Sequence, residues 1–359
     1  MSFEAFRGKR VLVTGHTGFK GSWLSLWLRR LGAKVHGYAL PPPTDPSNYA
    51  RADVRAALAG ETIADIRDRD RLAEAMAAFK PDVLFHLAAQ PLVRDSYAKP
   101  YETFEVNVMG TASALDAVRA AGRPCAVVCI TTDKCYENRE QVWGYRECDP
   151  MGGHDPYSAS KGAAELLIAS YRRSFFSPAE LARHGVQLAS ARAGNVVGGG
   201  DWAKDRIVTD LVAALAAGRP VPVRNPHAVR PWQHVLEPLS GYLTLAAAML
   251  ERPGATWCDG WNFGPATGTE LPVGKLVDAL VAAWGSGRWE DRSDPAQPHE
   301  ASILRLSIEK AGWELGWRPR WSCEQMIERT ARWYRDVLCG GADARAACEA
   351  DIEAYGESL

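Results

Sequence analysis

The fold is decided near the amino terminus by the stretch RVLVTGHTGFKGSW, residues 10–23. The apolar run at 11–13 predicts a buried strand, and the amphipathic pattern after the last glycine predicts a helix. Gly15, Gly18 and Gly21 lie between them, one residue away from the commonest dinucleotide fingerprint in spacing. Such a turn lets backbone N–H groups approach a pyrophosphate at the positive end of the helix dipole. The stretch therefore predicts a dinucleotide site.

Short apolar runs alternate with longer helical patterns through the first half of the chain. Strands are predicted at 10–14, 34–38, 61–64, 83–87, 126–130 and 187–191, and helices near 19–31, 68–79, 100–121 and 157–176. This alternation predicts an α/β protein with a Rossmann-type doubly wound parallel sheet. The pattern loosens after residue 191, which predicts a smaller C-terminal substrate-binding lobe.

Three regions follow from this pattern. A dinucleotide-binding domain that carries the catalytic residues is expected at 1–191, and a lobe that binds mainly substrate at 192–339. Strands and helices of the lobe can return to the first domain. Residues 340–359 are rich in alanine and acidic residues, and we expect them to form a loosely packed helical tail.

Composition narrows the class of protein. The 359 residues carry a formal net charge of -1, which gives no general attraction for nucleic acid or for an anionic membrane. No segment approaches the ~20 apolar residues of a membrane span. The eight cysteines include no Cys-x-x-Cys pair, and no histidine cluster has metal-ligand spacing. We therefore expect a cytoplasmic protein with reduced thiols, no metal, and neither nucleic acid nor membrane as partner.

The residues that follow the second predicted strand favour NAD over NADP as the cofactor. The second strand ends at Tyr38-Ala39-Leu40, with neither the acid that often holds the adenosine ribose nor an arginine for a 2′-phosphate. Asp65 follows the third strand and is equally consistent with an adenine contact or a helix N-cap. His16 and Lys20 lie within the glycine turn, and each is expected to face either the pyrophosphate or solvent.

Tyr157 and Lys161 form the first catalytic candidate. They are one helical turn apart, so both side chains lie on one helix face, and an ammonium near a phenol favours the phenolate. The same spacing occurs by chance in many helices. Here it begins a predicted helix downstream of a dinucleotide turn, which favours a role in hydride transfer.

Thr132, Asp133 and Lys134 form the second candidate. They follow the predicted strand 126–130, at the sheet edge where open α/β proteins place their chemistry. Thr132 can share a proton network with Tyr157, and the neighbouring acid and amine can move protons. The alternative is a capping aspartate beside a surface lysine.

These motifs carry a resemblance to a known family. The segments 14–21, 131–136 and 157–161 resemble the extended short-chain dehydrogenase/reductases, and within them the CDP-D-glucose 4,6-dehydratases. Segments 142–147, 192–195, 198–206 and 230–241 sharpen the similarity, which runs from residue 9 to about 333. The resemblance implies that NAD takes the C4 hydride of CDP-glucose, that water leaves across C5 and C6, and that the hydride returns to C6.

The resemblance also implies catalytic roles. Tyr157 would take the C4 hydroxyl proton, Lys161 would lower its pKa and hold the nicotinamide ribose, and Thr132 would orient the hydroxyl. Asp133 would protonate the departing C6 hydroxyl. Lys134 stands where related dehydratases carry the glutamate that acts as C5 base. A lysine removes that proton only as a neutral amine, and in its charged form it stabilises the enolate instead; both alternatives stay open.

Binding residues are implied in two groups. Those for NAD are Gly15, Thr17, Gly18, Phe19, Lys20, Gly21, Asp65, Ile66, Leu87, Ala88, Ala89, Asn107, Tyr157 and Lys161. Those for the nucleotide sugar are Gln90, Asn195, Arg206 and Arg230. Arginines suit two phosphates because they bind bidentately, although surface salt bridges are the alternative for them. Asn107 would support the active-site proton network.

Two rival functions remain. A nucleotide-sugar 4-epimerase needs the same tyrosine, lysine and NAD, but it has no use for the pair Asp133-Lys134. A noncatalytic NAD-binding regulatory protein would have no need to retain Tyr157 and Lys161 together with them. The Ala- and Leu-rich helices at 100–121 and 157–176 are expected to pair across a homodimer, or within a higher homo-oligomer, as a four-helix bundle.

Overall fold

The computed structural model describes residues 3–293 and 303–357. Its strands are β1 (Arg10–Thr14), β2 (Lys34–Ala39), β3 (Gly60–Ile63), β4 (Val83–His86), β5 (Cys125–Ile130), β6 (Val186–Ala193), β7 (Val196–Val197), β8 (Val221–Val223), β9 (Val229–Arg230), β10 (Gln233–His234), β11 (Gly260–Phe263), β12 (Leu271–Pro272) and β13 (Trp289–Asp291). Its α-helices are α1 (Phe19–Arg30), α2 (Asn48–Arg51), α3 (Arg69–Phe79), α4 (Val93–Ala98), α5 (Pro100–Phe104), α6 (Gly110–Ala121), α7 (Pro156–Ser174), α8 (Leu181–His184), α9 (Ile207–Ala216), α10 (Leu236–Glu251), α11 (Val273–Trp284), α12 (Cys323–Leu338) and α13 (Ala344–Glu357).

A parallel sheet organises the chain, with strand order β11-β6-β5-β4-β1-β2-β3. Val11 of β1 is opposite Val35 on one side and Val83 on the other, so the strand order reverses at β1. A crevice opens at the carboxyl ends of the strands at such a reversal. The predicted doubly wound parallel sheet is confirmed, and each of the six predicted strands corresponds to one of β1–β6.

Alternation along the strands builds three layers. In β1, Val11 and Val13 pack into a core that also holds residues of α1, α10 and α12. Leu12 points to the opposite face, where its core includes residues of α3, α6 and α7. Because successive side chains of a strand point to opposite faces, a strand buried on both sides reads as a continuous apolar run.

The second half of the chain contributes to both parts of the molecule. Helix α10 packs against β5, and β11 pairs with β6 as the edge strand of the large sheet, so the segment 236–263 returns to the first domain. Three two-stranded pairings, β7 with β10, β8 with β13 and β9 with β12, lie outside the large sheet. Of these, β7, Pro222 of β8 and Arg230 of β9 line the crevice together with the first turn of α9.

The carboxyl-terminal tail is helical, as predicted, but the expectation of loose packing is wrong. Tyr355 of α13 is buried, and its ring meets Trp27 and Trp321 edge to face. Its hydroxyl donates to Glu237 at 2.6 Å. Asp351 is also buried and accepts from Arg329 and Arg332. The tail therefore buries aromatic, aliphatic and carboxylate side chains, those of Tyr355, Ile352 and Asp351.

Replacement of Tyr355 tests this docking. Tyr355→Ala should lower the free energy of unfolding by about 3–5 kcal/mol, because a buried aromatic side chain is lost and Glu237 loses a donor. Glu353→Ala, which removes an exposed partner of Arg30, should cost under about 1 kcal/mol. Urea unfolding followed by tryptophan fluorescence measures both. Equal, small effects in the two variants would contradict a docked tail.

Candidate functional site

A cleft of about 1250 Å³ lies at the carboxyl ends of β1, β4 and β5. Its inner wall is the glycine turn after β1, the residues after β4 and β5, and the first turn of α7. Its outer wall comes from residues 193–210 and 222–230. The cleft therefore joins the predicted dinucleotide turn, the tyrosine–lysine pair and the predicted phosphate ligands in one space.

The three glycines of the turn are required for different reasons. Gly15 has φ +78°, and a Cβ there would lie 2.8 Å from the backbone nitrogen of Ala88. A Cβ on Gly21 would overlap the carbonyl oxygen of Gly15, so α1 can pack tightly on β1. Around Gly18, the nearest atom to such a Cβ is 3.4 Å away. The middle glycine therefore leaves its backbone open to a ligand at the amino end of α1.

His16 faces neither the cleft nor solvent, which corrects the sequence expectation. Its ring is buried under the turn, with Nε2 3.0 Å from Glu61 Oε2. The same carboxylate oxygen accepts from the Tyr49 hydroxyl at 2.6 Å, and Arg55 pairs with the other oxygen. Burial lowers the pKa of His16, although Glu61 opposes the shift. His16 therefore fastens the glycine turn to β3.

Lys20, Lys161 and Arg206 are among the cationic side chains that line the cleft. Burial, with smaller contributions from the charges of Arg206 and Lys161, lowers the pKa of Lys20 to about 7. Arg206 is held by Asp201 at 2.6 Å. Cations that repel each other in a partly buried space favour an anionic ligand. These residues and the open glycine turn fit a dinucleotide pyrophosphate together with a second diphosphate.

Helix α7 begins at the cleft because Asp155 caps it, accepting from the backbone of Ser158 at 3.0 Å. Burial raises the pKa of Tyr157 to about 12, while the nearby Thr132 hydroxyl acts in the opposite direction. Burial lowers the pKa of Lys161 to about 8, against the attraction of Glu165. Lys161 Nζ donates to the carbonyl of Ile130 at 3.4 Å. The tyrosine and lysine therefore face the cleft beside the end of β5.

Thr132, Asp133 and Lys134 lie close together after β5, but they differ in their exposure to the cleft. Thr132 and Lys134 line the cleft, whereas Asp133 is 0% exposed and lies behind the wall. Thr132 Oγ1 donates to Asp133 Oδ1 at 2.9 Å, and Lys134 Nζ is 3.8 Å from the same oxygen. The Asp133 carboxyl is thus one hydroxyl away from the cleft surface.

Two predicted contacts are turned away from the cleft. The Gln90 side chain donates to Leu92 and Thr103, so its amide is used within the loop after β4. Asn107 is 1% exposed, in a π-helical turn at 105–109 that interrupts the predicted helix 100–121. It accepts from the Gln90 backbone at 2.8 Å and donates to Ser160 Oγ at 2.8 Å. Asn107 therefore ties this loop to α7 without lining the cleft.

The remaining predicted ligands line the cleft. These are Gly15, Thr17, Gly18, Phe19, Lys20, Gly21, Asp65, Ile66, Leu87, Ala88, Ala89, Asn195, Arg206 and Arg230. The N-cap alternative for Asp65 is wrong, because Asp68 caps α3 and accepts from Arg71. Arg67 instead binds the Asp65 carboxylate and lowers its pKa.

A buried ion pair beneath Lys161 was missed in the sequence. Glu165 Oε2 accepts from Arg192 at 2.8 Å and from Ser190 at 2.7 Å, and its other oxygen accepts from Thr131. The signal available in the sequence is the spacing of Glu165, one helical turn after Lys161 on the same face. Its partner Arg192 belongs to β6, whose residues are all buried, and a buried arginine is rare without a partner.

The pKa of Lys161 gives a test of its burial. In the NAD-free protein, the folded pKa of about 8 lies below the unfolded value of 10.5, so the unfolded state binds more protons between these pH values. Stability should therefore rise with pH across this window, by up to about 3 kcal/mol. Lys161→Met should lack this rise and be the more stable protein at pH 7. Parallel pH dependences of urea unfolding in the two proteins would contradict a lowered pKa.

Comparison with known proteins identifies the family. A family model described as GDP-mannose 4,6 dehydratase matches residues 12–330. The chain is similar to the CDP-glucose 4,6-dehydratase of Salmonella typhimurium, with 52% identity over 335 residues, which is 93% of each chain. It is also similar to the dTDP-glucose 4,6-dehydratase of Streptomyces antibioticus, with 32% identity over 76% of this chain and 75% of that relative.

Solved structures share the fold. A dTDP-glucose 4,6-dehydratase from Streptomyces venezuelae with NAD bound aligns with a TM-score of 0.76 at 25% identity, over 94% of this chain and 99% of that one. A UDP-glucose 4-epimerase from Thermus thermophilus with NAD aligns with a TM-score of 0.75 at 26% identity, over 92% and 100% of the two chains. This chain belongs to the nucleotide-sugar 4,6-dehydratase family of the extended short-chain dehydrogenase/reductases.

Proposed function

We propose that this chain converts CDP-D-glucose into CDP-4-keto-6-deoxy-D-glucose by NAD-dependent 4,6-dehydration. The observation that carries the proposal is the Thr132–Asp133–Lys134 cluster at the end of β5, next to Tyr157. An epimerase shares the fold and the tyrosine but does not eliminate water, so it needs no acid and amine at this place. The 52% sequence identity to a CDP-glucose 4,6-dehydratase over 93% of the chain supports CDP-glucose as the substrate.

NAD is the cofactor, which the glycine turn, Lys20 and Lys161 would hold, and when bound it would supply a reversible hydride acceptor for the sugar. Tyr157 removes the C4 hydroxyl proton. Its pKa of about 12 in the cofactor-free cleft is high for a base at neutral pH, so nearby positive charge has to stabilise the phenolate. Arg206 supplies part of that charge. Lys161 lies one helical turn away and adds the rest when its ammonium faces the ribose.

The sugar nucleotide is held by the outer wall of the cleft. Arg206 and Arg230 bind its diphosphate, and Asn195 contributes an amide from the turn after β6. Asp201 fixes the Arg206 guanidinium at 2.6 Å and so keeps it extended into the cleft. A guanidinium that is already oriented loses less entropy when a phosphate binds. The same two arginines explain why a diphosphate rather than a free sugar is the ligand.

Asp133 supplies the proton for the leaving C6 hydroxyl. Because its carboxyl lies behind the cleft wall, the proton passes through the Thr132 hydroxyl, 2.9 Å from Oδ1. Lys134 faces the cleft with its Nζ 3.8 Å from the same carboxylate. Loss of water across C5 and C6 also releases the C5 proton, so we assign Lys134 to taking that proton as a neutral amine. The ammonium that results stabilises the enolate formed at C4 and C5.

The proposal also covers the oligomeric state of the protein and its location in the cell. Tyr101, Met109 and Leu166 are exposed apolar side chains on α5, the π turn and α7, which supports a homodimer built on these helices. All eight cysteines are free thiols, which supports a cytoplasmic location. Along residues 3–293 and 303–357, no helix has the length and apolar character to span a bilayer. The product class places the enzyme in deoxysugar biosynthesis, such as that of lipopolysaccharide O-antigens.

The substrate can be tested with a panel of CDP-, dTDP-, GDP- and UDP-glucose at substoichiometric NAD. CDP-glucose should give a product lighter by one water, with far slower conversion of the other three. Mass spectrometry of the sugar nucleotide follows the loss, and NADH absorbance confirms that no net reduction accumulates. A C4-inverted product of unchanged mass would overturn dehydration in favour of epimerisation.

The role of Lys134 can be tested by two substitutions. Arginine keeps the positive charge but cannot act as a base, so Lys134→Arg should lose water about 100-fold or more slowly than the native protein. Lys134→Met should be slowed at least as much, because it lacks both the base and the charge. Single-turnover water loss from CDP-glucose is the measurement, with Lys275→Met on the exposed face of α11 as control. Water loss within about tenfold of the native rate in Lys134→Arg would contradict a base and favour a cation that only stabilises the enolate.

A further inference from the structure

The two oxygens of the Asp133 carboxyl differ in their hydrogen bonds. Oδ1 accepts from Thr132, whereas Oδ2 is buried and has no hydrogen-bond partner among residues 3–293 and 303–357. Oδ2 faces the turn after β6, since a Cβ built on Gly194 would lie 3.3 Å from it. Buried carboxylate oxygens are rarely left unpaired, so a donor is expected on this inner side of the cleft wall.

Tyr242 approaches the same place from beneath the sheet. It lies on α10, the helix that packs against β5, and it is 0% exposed. Its hydroxyl also has no hydrogen-bond partner within the described part of the chain. Burial raises the pKa of Tyr242, and the charges of Tyr157 and Asp133 raise it further, so the phenol keeps its proton.

The pairing of β6 with β11 links the Gly194 turn to Tyr242. Ala193, the residue before Gly194, is opposite Phe263 in the pairing of β6 with β11. The Phe263 ring meets the Tyr242 ring edge to face at 5.7 Å. Phe263 therefore holds the Tyr242 ring close to the strand end that faces Asp133 Oδ2.

Gln233 adds a third buried atom to this region. Its Nε2 donates to the carbonyl of Phe263 at 3.0 Å, and its Oε1 has no partner among the described residues. One water that accepts from the Tyr242 hydroxyl and donates to Asp133 Oδ2 and Gln233 Oε1 would satisfy all three atoms. The three unpaired groups thus have complementary hydrogen-bonding capacity.

We propose that Tyr242 is a positioning residue for the elimination step, because its phenol donates to one buried water that in turn donates to Asp133 Oδ2. In that step the Asp133 proton goes to the C6 oxygen and the C6–O bond breaks. Lys134 takes the C5 proton as a neutral amine, and the electron pair of the C5–H bond forms the C5–C6 double bond. Asp133 becomes a carboxylate, which the Tyr242 hydrogen bond stabilises. The inference rests on the proposed dehydration and adds a group that touches neither substrate nor cofactor.

A purely structural role for this hydroxyl predicts a different result. The hydroxyls of Tyr334 and Tyr355 bond to Asp201 and Glu237, so their removal leaves acceptors unpaired. The Tyr242 hydroxyl has no such protein acceptor in the described residues. If it served packing alone, its removal would leave activity unchanged and would be neutral or favourable for stability.

The test is Tyr242→Phe, which keeps the ring and removes the hydroxyl. Tyr171→Phe is the matched control, since it removes a hydroxyl that binds Asp116 on the outer side of α7. In single turnovers with CDP-glucose, Tyr242→Phe should form transient NADH at the native rate and lose water about tenfold more slowly, the rate equivalent of one hydrogen bond to a charged group. The melting temperature should not fall.

A double-mutant cycle assigns the effect to Asp133. In the Asp133→Asn background, Tyr242→Phe should change water loss by less than about twofold, because the group that it serves is already gone. A native rate of water loss in Tyr242→Phe, equal slowing of NADH formation and water loss, or a full tenfold effect without Asp133 would each overturn the inference. If native protein released no water from CDP-glucose, the proposed function itself would fail, whatever Tyr242 did.

Discussion

Burial of cationic side chains in one cleft is the constraint on which the site depends. Lys20, Lys161 and Arg206 line a common space, and burial lowers the pKa of both lysines. An anion that enters such a space favours the charged form of both lysines. Asp201 holds the Arg206 guanidinium at 2.6 Å, and the charge of Glu165 opposes the lowering of the Lys161 pKa. The burial that disfavours the free cations therefore also favours anionic ligands.

The fixed position of the glycine turn makes this cluster possible. His16 and Glu61 fasten the turn from behind, while Gly15 and Gly21 allow the backbone of α1 to approach β1 and β4. The amino end of α1 then points its free N–H groups into the cleft, next to Lys20. A residue that seemed from sequence to belong to the ligand surface serves instead as the anchor of that surface.

Periodicity predicted the elements of the first domain because their burial is nearly complete. The runs at β1, β4 and β5 are apolar on both faces, and only a parallel sheet covered by helices buries such runs. Hydrophobic periodicity does not predict the direction in which a polar side chain points. Gln90, Asn107 and Asp133 were predicted in the cleft from their positions after strands or within a helix, yet local hydrogen bonds turn all three inward. The loose packing predicted for residues 340–359 was wrong for a related reason. The buried carboxylate of Asp351 pairs with Arg329 and Arg332, which lie in a different helix.

Dehydratases and epimerases of this fold share a framework, since the chain aligns with an enzyme of each kind at TM-scores of 0.76 and 0.75. The difference in reaction therefore resides in a few side chains. The proposed dehydration assigns this difference to the end of β5, where Thr132 and Lys134 face the cleft and Asp133 faces the interior. The groups that can contact a buried carboxyl are protein atoms rather than solvent. Selection for dehydration should thus act on the inner face of this turn, on α10 and β11, as much as on the cleft itself.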